Sequence, residues 1–282
     1  MSIATRLGKQ TLKGGEIVSR ILAAEGVEKV FGIIDGTYFG MYSTFGANGI
    51  SLVTPRHETC ALHMAGAYAR VSGKLGVAIA SNGPGVANAL PGVAVEQAEG
   101  NRVLLITSCR REGIVYPDRG GAFQSFPQVE VISAMAKFSC LVPSADRVAE
   151  LMRRALRVCY TGRPGLVHLD IPESIMNGKV DEDSSWFRRP EQYRLTQPLE
   201  PTDLQVDEVL RQLAQAKRPL IHAGSGVVHA QAAQTLADVS KVLGVPMTTS
   251  WGARAAVDER SDLIVPMISV DAVDAARSQA DW

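Results

Sequence analysis

The chain has 282 residues, 46% of them hydrophobic, which is enough to bury a substantial core in one large domain or two ordinary ones. Lys+Arg and Asp+Glu both total 29, and no long basic run is present to track a phosphate backbone, which speaks against nucleic-acid binding. The N-terminus has no secretory apolar region and no stretch nears the roughly 20 apolar residues of a membrane span, so a cytoplasmic protein is expected.

From Gly14 to Pro172, amphipathic helical stretches alternate with short apolar runs, the pattern of an α/β domain with a mainly parallel sheet flanked by helices. Buried strands are expected at Val30–Ile33, Gly76–Ala80, Val103–Thr107 and Leu166–Ile171, with helices near 15–26, 57–71, 86–98 and 145–160. Between Arg110 and about Pro127 lies a stretch poor in regular structure, with Gly113, Pro117, Gly120 and Gly121. Loops of that length inside compact domains are usually functional or mobile. Residues 1–175 are therefore read as a first domain. The run 176–200, with Asp181-Glu182-Asp183-Ser184-Ser185 and Pro190 and Pro198, reads as a polar linker. Residues 201–282 begin a second, Rossmann-like α/β domain: a strand at Pro219–Ala223 enters a Gly224-Ser225-Gly226 turn, a helix follows from about Ala230 to Leu243, then a strand at Pro246–Thr249 and a helix at Val270–Ser278. One strand short of a finished alternation, this domain reads as incomplete.

Four cysteines, Cys60, Cys109, Cys140 and Cys159, form no Cys-x-x-Cys pair and are expected as buried free thiols. His57-Glu58 and His63 stand six apart rather than four, so they do not place two imidazoles on one helix face as a zinc hydrolase needs. Gly224 and Gly226 follow a strand, but His229 occupies the third glycine position of a dinucleotide fingerprint, and a plain tight turn competes with a nucleotide site. Ser81-Asn82-Gly83-Pro84-Gly85-Val86-Ala87-Asn88 joins a strand to a helix, where glycines permit close approach and helix N–H groups supply donors, although the Lys-Ser/Thr of a P-loop is missing. Asp35-Gly36 follows the first strand, at the end where ligands gather in open α/β sheets. Glu58 opens a helix rich in small residues, a position that the helix dipole favours for a carboxylate.

In order, Phe31-Gly32, Arg56-His57-Glu58, Ala67-Tyr68-Ala69-Arg70, Gly83 to Asn88, Ala122-Phe123-Gln124 and Gly162 to Pro172 resemble the thiamine-diphosphate enzymes of the acetolactate synthase, 2-hydroxyacyl-CoA lyase and benzaldehyde lyase type. The resemblance matches residues 12 to about 175 to the pyrimidine-binding domain and 200 to 282 to the first half of the central domain. It implies that Glu58 hydrogen-bonds N1′ of the cofactor's aminopyrimidine and favours the imino tautomer, which takes the thiazolium C2 proton. Burial would strengthen that bond by lowering the local dielectric. It further implies that Ile34, Gly83, Pro84 and Asn88 border the cofactor and that Asp35, Gly36, Phe123 and Gln124 border the substrate. Arg163 matches an arginine that contacts flavin in some relatives, so FAD or ADP enters as an expectation, with Gly224 and Gly226 as the accompanying nucleotide contacts. Ile34-Asp35 stands where relatives often have Pro-Gly or His-Gly, a departure on the substrate side.

The family holds diphosphate and Mg²⁺ through a Gly-Asp-Gly segment that this sequence lacks, so no metal ligands are assigned to it. The resemblance therefore implies a second subunit or a further C-terminal region carrying that segment, in an oligomer whose active sites lie between chains. A natural split and a fragment of a longer chain both fit. The expected activity is that of a lyase or carboligase acting on 2-oxo acids or 2-hydroxyacyl substrates. The rival is a non-catalytic binding or regulatory module on the same fold, in which Glu58 is a helix-start carboxylate alone.

Overall fold

The structure is a computed structural model that describes residues 10–110 and 122–282. Gly113, Pro117, Gly120 and Gly121 of the expected loop lie outside the described residues. The chain divides into two compact units, Met1–Thr196 and Gln197–Trp282.

In chain order the first unit contains β1 (Thr11–Lys13), α1 (Gly14–Ala24), β2 (Lys29–Gly32), α2 (Phe39–Tyr42), β3 (Ser51–Val53), α3 (Glu58–Ser72), β4 (Gly76–Ala80), α4 (Pro84–Ala98) and β5 (Val103–Cys109). It continues with α5 (Gln128–Ser133), β6 (Phe138–Leu141), α6 (Val148–Tyr160), β7 (Val167–Pro172), α7 (Glu173–Asn177) and β8 (Lys179–Asp181). Strands β2 to β7 form one parallel sheet in the order β3-β2-β4-β5-β7-β6, as the α/β pattern predicts. The central strands β4 and β7 are buried throughout, because helices cover both faces. One core joins the sheet to α1 and α6 through Ile17, Leu22, Met152 and Leu156; the other joins it to α3 and α4 through Leu62, Ala65, Val86 and Val93.

Helices α3 and α4 meet through glycine. A Cβ on Gly92 would stand 2.4 Å from Leu62 Cβ, and one on Gly66 would collide with Glu96 Oε2, whose carboxylate is held by His63 at 2.8 Å and Asn101 at 2.6 Å. Small residues thus allow the approach that brings the starts of these two helices together.

The segment expected as a linker is instead part of the first unit as far as Thr196. Strand β8 pairs antiparallel with β1, Thr11 opposite Asp181, and Trp186 and Tyr193 are buried in the α1/α6 core. Arg194 Nε donates to both oxygens of the buried Glu25 carboxylate, at 3.0 and 3.1 Å, and its guanidinium lies 3.9 Å from the Tyr160 ring centroid. The charged and proline residues suggested a linker, but Trp186 and Tyr193, with Phe187 packed against the same core, fix it to the first unit.

The second unit contains α8 (Asp203–Gln215), β9 (Ile221–Ala223), α9 (Ser225–His229), α10 (Ala233–Leu243), β10 (Met247–Thr249) and α11 (Val270–Gln279). Strands β9 and β10 pair in parallel, Met247 opposite Ile221. The helix expected from about Ala230 to Leu243 is α10, beginning three residues later, and a short helix not expected, α9, precedes it where the Gly224-Ser225-Gly226 turn was placed; the two are separated at Gln231, which takes φ of 54°.

Candidate functional site

Because β2, β3, β4, β5 and β7 are parallel, the segments that leave their carboxyl ends share one edge of the sheet. Asp35 follows β2, Glu58 follows β3, Gly83 follows β4 and Ser108 is the penultimate residue of β5.

Glu58 is the first residue of α3. The helix starts there because His57 is extended (φ −155°, ψ 142°) and its Nδ1 accepts the Thr59 N–H at 3.2 Å; it stops at Gly73, which takes the left-handed φ of 72°. Only 9% of Glu58 is exposed. Its Oε2 accepts from Asn88 Nδ2 on α4 at 3.1 Å, and Thr59 Oγ1 donates to the Asn88 carbonyl, so two bonds set this asparagine against the start of α3. Oε1 accepts nothing from any described residue. A Cβ on Gly85 would stand 3.1 Å from Oε1, so the glycine keeps the approach to that oxygen open.

Gly83 carries the strand-to-helix turn at φ 67° and ψ −114°, and Pro84 follows at a helix start that has no use for its missing N–H. A Cβ at Gly83 would lie 2.5 Å from Gln124 Cα and 2.6 Å from the Phe123 carbonyl oxygen. The backbone of Phe123 and Gln124 therefore rests on the turn, and Asn82 Nδ2 donates to the Gln124 carbonyl at 3.5 Å. Phe123 is 74% exposed and Ile34 52%, with Phe39 also exposed, so large apolar side chains border this edge.

The Asp35 turn is tied down from three directions. Oδ1 accepts the Thr37 N–H at 2.8 Å and the Thr37 hydroxyl at 2.5 Å, an arrangement natural to a turn-starting aspartate. Since the Thr37 proton is committed to Asp35, the Ser108 hydroxyl donates to Thr37 Oγ1, at 2.5 Å. Asn177, at the end of α7, donates to the carbonyls of Gly36 and Thr37 at 3.0 and 3.2 Å and accepts the Gly40 N–H at 2.7 Å. Tyr38 is buried and donates to the Ile33 carbonyl; burial, then the Asp35 and Glu58 carboxylates, push its phenol well above the usual range.

Behind the edge runs a buried polar network. Asp170 Oδ1 accepts from Thr107 Oγ1 and from Gln128 Nε2, each at 2.7 Å, and Gln128 also donates to the Ser108 carbonyl at 2.9 Å. His168 shares hydrogen bonds with Thr107 through Nε2 and with Ser139 through Nδ1, each at 2.7 Å, and Ser139 Oγ also donates to the Val129 carbonyl at 3.2 Å. This is a neutral imidazole, consistent with burial, which pushes His168 down to about 3. Burial pushes Asp170 up, against the hydrogen bonds from Thr107, Gln128 and Cys109.

The structure thus brings Ile34, Asp35, Gly36, Glu58, Gly83, Pro84, Asn88, Phe123 and Gln124 to one edge of the sheet. Arg163 is elsewhere. It precedes β7, at the opposite edge, and its guanidinium donates to the Gln97 carbonyl at 3.2 Å and to that of Ala98, closing the end of α4. Gly224 and Gly226 belong to the second unit, and a Cβ on either would meet nothing within 4 Å, so packing does not demand glycine there. Thr37, Ser108 and Asn177, which hold the Asp35 turn, had no signal in the sequence beyond their polarity. Among the described residues no group of three or more His, Cys, Asp or Glu side chains could hold a metal ion, and no helix is long and apolar enough to cross a membrane.

The comparison with known families matches residues 12–134 to the thiamine pyrophosphate enzyme N-terminal TPP-binding domain and residues 206–282 to the thiamine pyrophosphate enzyme central domain. Similar proteins include a probable acetolactate synthase large subunit of Methanocaldococcus jannaschii, 28% identical over 268 residues, which are 94% of this chain and 44% of that protein. An acetolactate synthase of Mycobacterium bovis is 32% identical over 260 residues, 91% of this chain and 41% of its own length. The acetolactate synthase large subunit of Haemophilus influenzae is 29% identical over 240 residues, 85% and 41% respectively. The chain spans less than half the length of these relatives. With an N-terminal TPP-binding domain matched over residues 12–134, a central domain over 206–282, and a 32% identical acetolactate synthase aligned along 91% of this sequence, the chain belongs to the thiamine pyrophosphate enzymes.

Proposed function

We propose that this chain supplies the aminopyrimidine side of a thiamine-diphosphate-dependent active site of acetolactate synthase kind, one that breaks or forms a carbon–carbon bond next to a carbonyl. The observation that carries the reading is Glu58: a buried carboxylate with one oxygen fixed by Asn88 and the other left open beside Gly85. Thiamine diphosphate, when bound, supplies a thiazolium that stabilises negative charge on a carbonyl carbon. Glu58 Oε1 is suited to share a proton with a ring nitrogen, and its burial keeps water from competing for that bond. Asn88 sets the plane of the carboxylate, and the Gly83-Pro84 turn offers backbone without side-chain bulk.

The diphosphate and its Mg²⁺ are held, on this reading, by a Gly-Asp-Gly domain outside these residues, on another chain or a further region of the same one. The outer face of α3 and α4 supports a partner there: Met64, Val71 and Val95 are exposed apolar residues on it. The test is turnover of pyruvate by the protein together with whatever completes the site, with thiamine diphosphate and Mg²⁺ present or withheld. Cofactor-dependent turnover supports the reading, and turnover indifferent to the cofactor overturns it.

A further inference from the structure

At the same edge of the sheet, Asp35 presents a carboxylate with its two oxygens in different situations. Oδ1 is saturated by the Thr37 N–H and hydroxyl, whereas Oδ2 accepts nothing from any described residue of this half-buried side chain. The turn that carries it is unusually well braced, since Asn177 makes three bonds to its backbone and Ser108 a fourth to Thr37. A group held so firmly costs little to organise further when a ligand arrives. No described Lys, Arg or His forms an ion pair with Asp35. A free carboxylate oxygen accepts hydrogen bonds and never donates them, so it rewards an O–H or N–H placed against it.

We infer that Asp35 is a specificity-determining residue that accepts a hydrogen bond from a hydroxyl on the substrate, selecting hydroxylated 2-oxo acids over their alkyl counterparts. The inference rests on the proposed function above. The loss of a charge-assisted bond to a substrate hydroxyl amounts to roughly tenfold or more in selectivity. D35N serves as the probe because asparagine caps the same turn through Oδ1 and exchanges only the free oxygen for an amide.

The experiment compares kcat/KM for 3-hydroxypyruvate and 2-oxobutanoate, an isosteric pair that differs by hydroxyl against methyl, in the assembled protein with thiamine diphosphate and Mg²⁺. The wild type is expected to favour 3-hydroxypyruvate by at least about tenfold, with the ratio reduced several-fold in D35N and close to one in D35A. Thermal unfolding of each variant runs alongside. A loosened turn lowers both substrates together and leaves the ratio in place, so the ratio separates recognition from structure. A ratio unchanged in both variants, with cofactor-dependent turnover intact, overturns the inference alone. Absence of cofactor-dependent turnover in the wild type overturns the proposed function and the inference with it.

Discussion

Asn88 Nδ2 stands 3.1 Å from Glu58 Oε2, a bond that joins the second turn of α4 to the first residue of α3. It divides the carboxylate into a fixed oxygen and an open one. E58Q is expected to lower kcat of the assembled enzyme by roughly 10²–10⁴-fold, the usual worth of a proton-handling group, while thermal unfolding stays near that of the wild type. N88A, which leaves the carboxylate in place but untethered, is expected to cost about tenfold. Steady-state kinetics under saturating cofactor check both, and wild-type rates in E58Q would remove Glu58 from its assigned task.

Gly83 and Gly26 offer a controlled comparison, since both take positive φ, 67° and 75°. A Cβ at Gly26 meets nothing within 4 Å, whereas at Gly83 it would collide with Gln124 Cα and the Phe123 carbonyl. G26A is expected to cost about 1 kcal/mol from backbone strain alone. G83A is expected to cost more, about 2–3 kcal/mol, and to displace Phe123 and Gln124. Denaturant unfolding of the two variants measures the difference, and equal losses would show that the close approach carries no weight.

Arg194 neutralises a glutamate that has no exposure of its own, Glu25, from within the segment first read as a linker. R194A strands that carboxylate and removes the cation over Tyr160, so a loss of about 3–5 kcal/mol is expected. R194M, which keeps apolar volume, leaves the same charge uncompensated and is expected to fare little better. A loss under about 1 kcal/mol in chemical denaturation would make the 184–196 segment an accessory rather than part of the fold.

The buried His168 predicts an acid-side weakness. Its folded value is pushed down to about 3 from 6.5, so between those limits the unfolded chain binds a proton that the folded chain refuses. Its contribution is full above pH 6.5 and is lost as the pH falls. Asp170, pushed up by burial, acts in the other direction: its contribution is present below about 3.8 and is lost as the pH rises through its folded value. On going from pH 7 to pH 5 the His168 effect amounts to about 2 kcal/mol. H168Q is expected to be less stable at pH 7 but to lose less on acidification, which melting temperatures across that interval will register.

The sequence announced the parts of this fold that are buried on both faces. Strands β4, β5 and β7 are near-continuous apolar runs and were placed within two residues at each end. The edge strands β3 and β6 have only one buried neighbour each and no fully buried residue, so they leave no such run. β1 and β8 are three residues each and exist only because they pair with one another across the chain. The same holds in the site. Glu58 and the Gly83–Asn88 turn were legible because local composition marks a helix start and a tight turn. Thr37 and Ser108 are 71 residues apart, and Asn177 lies 140 residues from Thr37, separations at which periodicity carries no information. Arg163 shows the converse: its place in a motif was recognisable, but the carbonyls that occupy its guanidinium were not.

The pairing of β1 with β8, and the burial of Trp186 and Tyr193 behind it, bear on how this protein is born. The first unit closes with residues that the ribosome delivers last, so a nascent chain ending at β7 holds a finished parallel sheet with an unfinished core. Until position 196 has left the exit tunnel, the hydrophobic flank of α1 and α6 remains open to chaperones and to other nascent chains. The core of this unit is thus expected to be complete only once the short segment ending at Thr196 is available to it.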